Sequence, residues 1–289
     1  MIKESELILN PDGTIFHLHL KPENISTRII LVGDPDRVDT IAGLFSEIEF
    51  STQNREFKTV TGRYNQQRIT LVSTGIGTDN IDIVVNELDA LANIDLETRE
   101  IKKEHKTLDL IRIGTSGGLQ DNLPVNSFVV SAKSIGFDGL LNFYANREKF
   151  TDLDFEKAFR TYTSWDASLP SPYVADASEM LLAKFNTSEF AHGVTISAPG
   201  FYGPQGRELR LPLAHPHLNE QVESFNYNGL CITNFEMESS AIYGLSKMLG
   251  HNALTVCLII ANRVTKTANE NYRSEMKKLV KTVLDKLTA

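Results

Sequence analysis

Short apolar runs alternate along the chain with stretches in which apolar residues recur every three or four positions. The apolar runs predict strands buried on both faces, at residues 28–32, 68–74, 108–113, 127–135, 192–198, 229–233 and 253–261. The helical spacing predicts amphipathic helices, at residues 35–45, 81–88, 177–185, 234–248 and 276–287. Strands that alternate with helices indicate one three-layer α/β domain over residues 1–289, with helices on both faces of the sheet.

Three segments depart from this alternation. Residues 96–107 are a charged run, which we interpret as a solvated helix end or an inserted loop. Residues 140–172 are irregular and rich in aromatic side chains, so they predict a long excursion from the sheet. Residues 15–20, IFHLHL, alternate in polarity, which indicates a strand with His17 and His19 on one face.

The charge and cysteine content narrow the classes of partner and compartment. The net charge is −8 and the pI is about 5.4, which argues against binding to nucleic acid or to an anionic membrane surface. Cys231 and Cys257 both lie in apolar stretches, which predicts buried, reduced thiols in a cytoplasmic protein. Neither a membrane span nor a signal peptide is expected, because no apolar segment has the required length.

The stretch LDLIRIGTSGGL, residues 108–119, carries the first candidate site. We expect the strand to end at Ile113, and the glycines after it to let backbone N–H groups approach a ligand at the carboxyl edge of the sheet, where α/β proteins bind ligands. Arg112, with the hydroxyl of Thr115 nearby, indicates an anion held by forked donors. In the alternative interpretation, the glycines serve only the turn and Arg112 pairs with a core carboxylate.

A second candidate anion site follows the first predicted strand. Gly33 ends that strand, Asp34 can cap the next helix, and Pro35 suits its first turn. The free N–H groups and the dipole of a helix N-terminus both favour an anion. Arg37 falls in the same turn, where a cation is unfavourable unless an anion is present. The alternative is that Arg37 is a solvated surface residue.

Two further segments carry polar groups suited to an organic ligand. Glu236 and Glu238 begin a predicted helix, where they either complement its dipole or bind vicinal hydroxyls of a sugar. The loop FYGPQGR, residues 201–207, combines the donors and acceptor of Gln205 with the donors of Arg207. That set can bind the edge of a heterocycle with carbonyls and an N–H, although the loop could also be a simple connection.

Several other motifs do not support a function. Gly75-x-Gly77 lacks the third glycine of a dinucleotide fingerprint, because Asn80 occupies that position. His215-x-His217 has no accompanying Cys or Asp cluster, so we expect no metal site there. No serine lies in a nucleophile-elbow context, so covalent hydrolase chemistry is not expected.

The motifs IFHLHL, GDPDRV, NREF, STGIGT, RIGTSGG, FYGPQGR, NFEMESS and IIANR occur in this order along the chain. In this combination the chain resembles the purine-nucleoside/uridine phosphorylase superfamily, and FYGPQGR is typical of its uridine branch. The resemblance implies the nucleoside phosphorylase fold, a mixed and partly barrel-like sheet flanked by helices. It also implies a homodimer with active sites shared between subunits, commonly assembled into a hexamer of three dimers.

The resemblance assigns roles residue by residue. It implies a phosphate site formed by Gly33, Arg37, Arg112 and Thr115, with Arg55 from the neighbouring subunit. It implies a ribose site formed by Met237 and Glu238, with His17 from the neighbouring subunit. It implies a base site formed by Phe201, Gln205 and Arg207. The catalytic groups would be Arg112, Gln205, Arg207 and Glu238.

The implied activity is reversible phosphorolysis of uridine to uracil and ribose 1-phosphate. Inorganic phosphate is then a co-substrate, and neither a redox cofactor nor a catalytic metal is expected. The purine branch has an aspartate where this chain has Asn262, which favours a pyrimidine base. The alternatives left open are a purine-nucleoside or methylthioadenosine phosphorylase or nucleosidase of the same superfamily, and a non-catalytic nucleoside-binding protein.

Overall fold

The computed structural model describes residues 1–289, in which strands and helices alternate. The strands are β1 (Arg28–Val32), β2 (Glu47–Asn54), β3 (Phe57–Tyr64), β4 (Gln67–Ser73), β5 (Ile94–Asp95), β6 (Glu100–Ile101), β7 (Asp109–Gly118), β8 (Phe128–Gly136), β9 (Tyr173–Asp176), β10 (Phe190–Ser197), β11 (Asn226–Tyr227), β12 (Leu230–Glu236), β13 (Asn252–Asn262) and β14 (Thr267–Ala268). The helices are α1 (Pro35–Ala42), α2 (Thr78–Asn93), α3 (Leu153–Tyr162), α4 (Glu179–Ala183), α5 (Leu218–Ser224), α6 (Ser239–Leu249) and α7 (Arg273–Thr288).

Twelve of the strands form one mixed sheet, in the order β11-β12-β10-β8-β13-β7-β1-β4-β3-β2, with β9 on β8 and β14 on β13. Because β12 also pairs with β7, strands β7, β12, β10, β8 and β13 close into a barrel. The remaining strands β1, β4, β3 and β2 extend from β7 as an open sheet. The expected mixed, partly barrel-like sheet flanked by helices is therefore confirmed.

The closure of the barrel joins two strands at their carboxyl ends. β12 runs antiparallel to β7, with Asn234 opposite Gly118 and Phe235 opposite Gly117. β1, in contrast, is parallel to both β7 and β4. The carboxyl ends of β1, β4, β7 and β12 therefore meet at one edge, which is where α/β sheets bind ligands.

The apolar core lies between the sheet and its helices. One cluster contains 50 buried residues and includes side chains of α1, α2, α6 and α7, and a second cluster of 13 residues centres on β10, β12 and α3. The predicted closing helix is confirmed as α7, whose apolar side chains are all buried, namely Met276, Leu279, Val280, Val283, Leu284 and Leu287. None of the helices combines the length and the apolarity that crossing a membrane requires.

The expected end of the strand at Ile113 is wrong, and so is the alternative of a turn there, because β7 continues through the glycine-rich segment to Gly118. The reason is its neighbour: β13 pairs with β7 from Asp109 to Gly118, so Gly114 lies opposite Cys257 and Gly118 opposite Asn262. Pairing along this length outweighs the weak intrinsic strand preference of glycine.

Two predicted helix boundaries are also wrong. β12 extends to Glu236 and α6 begins at Ser239, later than the predicted start at Asn234, because that segment pairs with β10 and β7. At the other boundary, α1 ends at Ala42, and Leu44 and Phe45 lie beyond it. Gly43 forms the C-cap, which is consistent with the low helix propensity of glycine.

The three segments that depart from the alternation have defined structures. Residues 140–172 contain α3, whose N-terminus is capped by the Asp152 side chain accepting the Phe155 N–H, so the irregular excursion is only partly correct. Residues 96–107 form the outer strand of the small β5–β6 hairpin and an exposed loop. Residues 15–20 are a turn and not a strand, and only Ile15 makes a bridge, to Leu9.

We expect Leu284→Ala to lower the free energy of unfolding by about 2–5 kcal/mol, because the truncation removes a fully buried side chain and leaves a cavity. Lys277→Ala, on the exposed face of the same helix, is the matched control and should change it by less than about 0.5 kcal/mol. Urea unfolding followed by circular dichroism measures both. Equal effects of the two substitutions would contradict the assigned packing of α7.

Candidate active site

A cavity of about 740 Å³ opens at the edge where the carboxyl ends of the strands meet. Its walls come from the segments after β1, β4 and β10 and from the last residues of β7, β12 and β13. The site residues expected from the sequence that line it are Gly33, Arg37, Arg112, Thr115, Phe201, Gln205, Arg207, Met237 and Glu238. The fold therefore brings together nine residues from four segments that lie far apart in the sequence.

Two arginines, Arg37 and Arg112, line one end of the cavity. Asp34 caps α1 by accepting the Asp36 N–H at 2.9 Å, as predicted, which places Arg37 in the first turn of the helix. Nη1 of Arg37 donates to the carbonyl of Ile113 at 3.4 Å, which directs this side chain towards β7. Burial, and then repulsion from Arg112, lowers the pKa of Arg37. Two guanidinium groups this close favour an anion between them.

Arg112 is buried between two carboxylates, those of Glu236 at the end of β12 and of Glu238 at the N-cap of α6. Its Nη2 pairs with Oε2 of Glu238, and its Nη1 lies 3.4 Å from Oε2 of Glu236. Burial alone would lower the pKa of Arg112, but attraction to Glu238 and Glu236 raises it above its ordinary value. The alternative interpretation from the sequence, in which Arg112 pairs with a core carboxylate, is therefore confirmed. The anion site stays a prediction, at an arginine that lines the cavity.

The absence of a side chain at Gly114 makes room for this guanidinium. Arg112 and Gly114 lie two positions apart in β7 and so share one face of the strand. A Cβ at Gly114 would lie 1.8 Å from Nη1 and 2.7 Å from Cζ of Arg112. At Gly117, in contrast, the nearest heavy atoms would be 4.0 Å away. Gly114 is therefore needed for Arg112 to take this conformation.

The other end of the cavity presents planar donors and acceptors. Gln205 is buried, and its Oε1 accepts from Nη1 of Arg207 at 2.6 Å. The Arg207 guanidinium also lies over the Phe201 ring, 3.7 Å from its centroid. Burial, followed by repulsion from Arg263, lowers the pKa of Arg207 to about 10. This group of side chains offers a flat surface with hydrogen-bonding groups at its edge.

Arg263 supports that end of the cavity and was missed by sequence reasoning. Its Nη1 donates to the carbonyl of Gln205, and its Nη2 donates to the carbonyl of Gly206 at 3.1 Å. The only sequence signal was its position at the end of the IIANR motif. Arg263 fixes the backbone of the loop, because both bonds go to carbonyls of consecutive residues.

Asn262, where the purine branch has an aspartate, does not line the cavity. Its Nδ2 donates to the carbonyls of Gln120 and Leu123, each at 2.8 Å. Its Oδ1 accepts the N–H groups of Val264 and Thr265, each at 2.9 Å. The whole amide is therefore engaged in holding two loops, and it is 2% exposed.

His17 and Arg55 do not line the cavity of their own chain. Nδ2 of Asn54 donates to the carbonyl of His17 at 2.8 Å, which ties the two segments together. The His17 ring is held by Glu87, with Nδ1 and Oε1 2.6 Å apart. Arg55 is exposed. These two expected site residues therefore share one surface outside the cavity.

A group of Asp89, His105 and His251 has the side-chain types of a metal site. Nδ1 of His251 accepts the Leu108 N–H at 3.2 Å, which leaves the ring proton on Nε2, 3.0 Å from Oδ1 of Asp89. Metal binding at Nε2 would move that proton to Nδ1, opposite the Leu108 N–H. The group is therefore a hydrogen-bonded structural cluster. His215 and His217 have separate partners, Asp166 and Glu220.

Comparisons with known proteins agree with this architecture. A family model described as the phosphorylase superfamily matches residues 27–289. A uridine phosphorylase of Haemophilus influenzae is 30% identical over 251 residues, which is 86% of each chain. The crystal structure of a Trypanosoma brucei nucleoside phosphorylase, described as showing uridine phosphorylase activity, superposes with a TM-score of 0.88. It is 31% identical and covers 97% of this chain and 99% of its own.

A guanosine phosphorylase of Halorubrum lacusprofundi is 27% identical over 248 residues, which is 86% of this chain and 83% of the relative. The structure combines a closed barrel with one cavity that has arginines at one end and a glutamine–arginine pair at the other. The chain belongs to the phosphorylase superfamily.

We expect Gly114→Ala to weaken inorganic phosphate binding by about tenfold or more, because displacing Arg112 removes a charged hydrogen-bond donor. Gly117→Ala, in the same strand, is the matched control and should bind phosphate within about threefold of the wild type. Isothermal titration calorimetry measures both affinities, with thermal unfolding as the check on folding. Unchanged phosphate affinity in Gly114→Ala would contradict the position assigned to Arg112.

Proposed function

We propose that this protein catalyses the reversible phosphorolysis of uridine, giving uracil and ribose 1-phosphate. The observation that carries the proposal is the arrangement of one cavity, with the arginine pair Arg37 and Arg112 at one end and Gln205 and Arg207 at the other. Glu238 lines the same cavity and is the proposed ligand of the ribose, the sugar to which phosphate and base bind. The similarity to uridine phosphorylases over nearly the whole chain supports the same reaction.

The geometry supports the reaction through positioning and charge. Arg37 and Arg112 hold the phosphate and direct one oxygen at C1′ of the ribose, which contributes by orientation. As the glycosidic bond breaks, positive charge develops on the sugar and negative charge on the base. Gln205 and Arg207 donate to the uracil carbonyls and stabilise that negative charge, as oxyanion-hole donors do. Phosphate and the chain's own side chains supply this chemistry, with no redox cofactor or catalytic metal in the proposed reaction.

The base end favours a pyrimidine over a purine. Uracil presents two carbonyls and an N–H, and Gln205 can pair with both kinds of group whereas Arg207 only donates. Cleavage of a purine nucleoside is helped by an acid that protonates the ring. Asn262 cannot serve as that acid, because it is an amide and its hydrogen bonds hold two loops outside the cavity. Guanosine phosphorolysis, the activity named for one relative, is the second candidate.

We further propose a homodimer in which each cavity is completed by the partner. His17 and Arg55 have the chemistry for the ribose 5′-hydroxyl and for phosphate, yet both lie outside the cavity of their own chain. Their common surface also carries the partly exposed Phe16. In a two-fold dimer, the same surface patch of both subunits forms the interface. Because His17 and Arg55 are held together on one surface, both would enter the cavity of the partner subunit together. We also propose that such dimers assemble into a hexamer, as the resemblance to the family implies.

Uracil release from uridine should require phosphate, because water has no charge for Arg37 and Arg112 to hold. An ultraviolet assay with uridine, inosine and adenosine, each with and without phosphate, measures the nucleophile and the base preference together. Gln205→Ala should lower kcat/KM for uridine by about 10² or more and change any residual purine cleavage far less. Uracil release at the same rate without phosphate would identify a hydrolase, and inosine cleavage as fast as uridine cleavage would overturn the base assignment.

The shared site is tested by complementation. Arg55→Ala and Glu238→Ala chains, co-expressed with two different tags and purified through both, should regain about a quarter to a half of wild-type activity, because a mixed dimer keeps one intact site. The matched control pairs Arg55→Ala with His17→Ala chains, whose mixed dimers have no intact site. Restored activity in both pairs, or in neither, would contradict the shared-site arrangement.

A further inference from the structure

The two carboxylates beside Arg112 are held very differently. Glu236 accepts hydrogen bonds from Oγ of Ser197 at 2.6 Å, from Oγ of Ser239 at 2.7 Å, and from the N–H groups of Ser239 and Glu238 at 3.0 Å. Two of these donors are N–H groups at the start of α6, which stabilise a negative charge. Glu236 is therefore a firmly hydrogen-bonded partner that holds one side of the guanidinium.

Glu238 has far fewer partners. Its Oε1 accepts the N–H of Gly77 at 2.9 Å, and its Oε2 pairs with Nη2 of Arg112. Arg112 is the only cationic side chain that bonds to this carboxylate, and the nearby carboxylate of Glu236 repels it. Gly77 adopts φ +99, a conformation that favours glycine, in the turn before α2. Glu238 can therefore leave Arg112 without breaking an ion pair to any other side chain.

The pair places the two substrate-binding groups in competition. Arg112 is the proposed phosphate ligand, but its Nη2 is occupied by Glu238. Glu238 is the proposed ribose ligand, but its Oε2 is occupied by Arg112. Both side chains are buried, at 6% and 3% exposure, so neither can be left without a counter-charge. A substrate that displaces one of the two side chains must therefore supply the charge or the hydrogen bonds that the displaced side chain provided.

We propose that Arg112 and Glu238 exchange partners when phosphate binds. Phosphate takes Nη2 of Arg112 from Glu238, Glu236 keeps the guanidinium in place, and the released carboxylate accepts the ribose hydroxyls. This inference rests on the proposed function, because it needs phosphate and a nucleoside in the same cavity. Its consequence is that an anion in the phosphate site strengthens nucleoside binding, although the anion adds negative charge close to Glu238.

The wild-type protein tests this coupling directly. Sulfate is a tetrahedral anion that does not cleave the nucleoside, so uridine binding can be measured by calorimetry with and without saturating sulfate. We expect sulfate to lower the uridine Kd by about tenfold, and uridine to lower the sulfate Kd by the same factor, as linkage requires. Uridine binding that is equal or weaker in sulfate would overturn the proposal.

Glu238→Gln separates the exchange from other causes of coupling. Without the competing carboxylate, Arg112 should bind sulfate about fivefold more tightly than in the wild type, and the effect of sulfate on uridine binding should disappear. If Glu238 only bound ribose, its replacement would leave sulfate affinity unchanged. If Glu238 only supported the fold, its replacement would lower sulfate affinity. Coupling that persists in Glu238→Gln would indicate direct contact between the two ligands and overturn the exchange.

Glu56→Gln is the matched control, since Glu56 also lines the cavity but bonds to Asn80 and not to Arg112. Its sulfate affinity should stay within about twofold of the wild type; an equal gain would show a general charge effect and overturn the exchange. Failure of the proposed function gives a different result, namely no uracil release from uridine and phosphate. In that case the sulfate affinities of wild type and Glu238→Gln still decide whether Glu238 competes for Arg112.

Discussion

A buried positive charge, the guanidinium of Arg112, sets the conditions that the rest of the site must meet. A charge at this depth is costly unless it is paired and hydrogen-bonded. Its two carboxylate partners are Glu236, the last residue of β12, and Glu238, the N-cap of α6 that follows. They reach it because β12 closes the barrel against β7 at the carboxyl ends of both strands. The closure of the barrel therefore also determines which charged groups meet in the cavity.

Two local features follow from that charge. Strand β7 carries glycine at position 114 because its own arginine folds back over that position. Helix α6 begins three residues after Glu236, and N–H groups at its start donate to the Glu236 carboxylate, so the helix dipole stabilises one counter-ion of Arg112. Glu238, in contrast, carries few other bonds and stays free to respond to a ligand.

The elements that could be predicted from the sequence are those whose formation depends on residues close together in the chain. The α7 pattern and the Asp34 cap were both predictable, because amphipathic spacing and capping depend on residues a few positions apart. The strand character of the glycine-rich part of β7 was not, since its cause is pairing with β13, more than 130 residues away. Arg263 was missed for the same reason, because its partners lie in a loop that its own neighbours do not indicate. For α3 a signal was present, the Asp152 cap followed by Phe155 and Phe159, but the irregular surroundings masked it.

The stacking of Arg207 on Phe201 affects which groups this end of the cavity can accept. The ring faces a cation and Gln205 accepts from the same guanidinium, so both groups already have partners. A flat ligand that separates them must replace the lost hydrogen bond, and a purely apolar ring offers no acceptor for it. The three side chains therefore compete with a ligand for their own contacts, and this competition favours a ring with carbonyl groups at its edge over an apolar one.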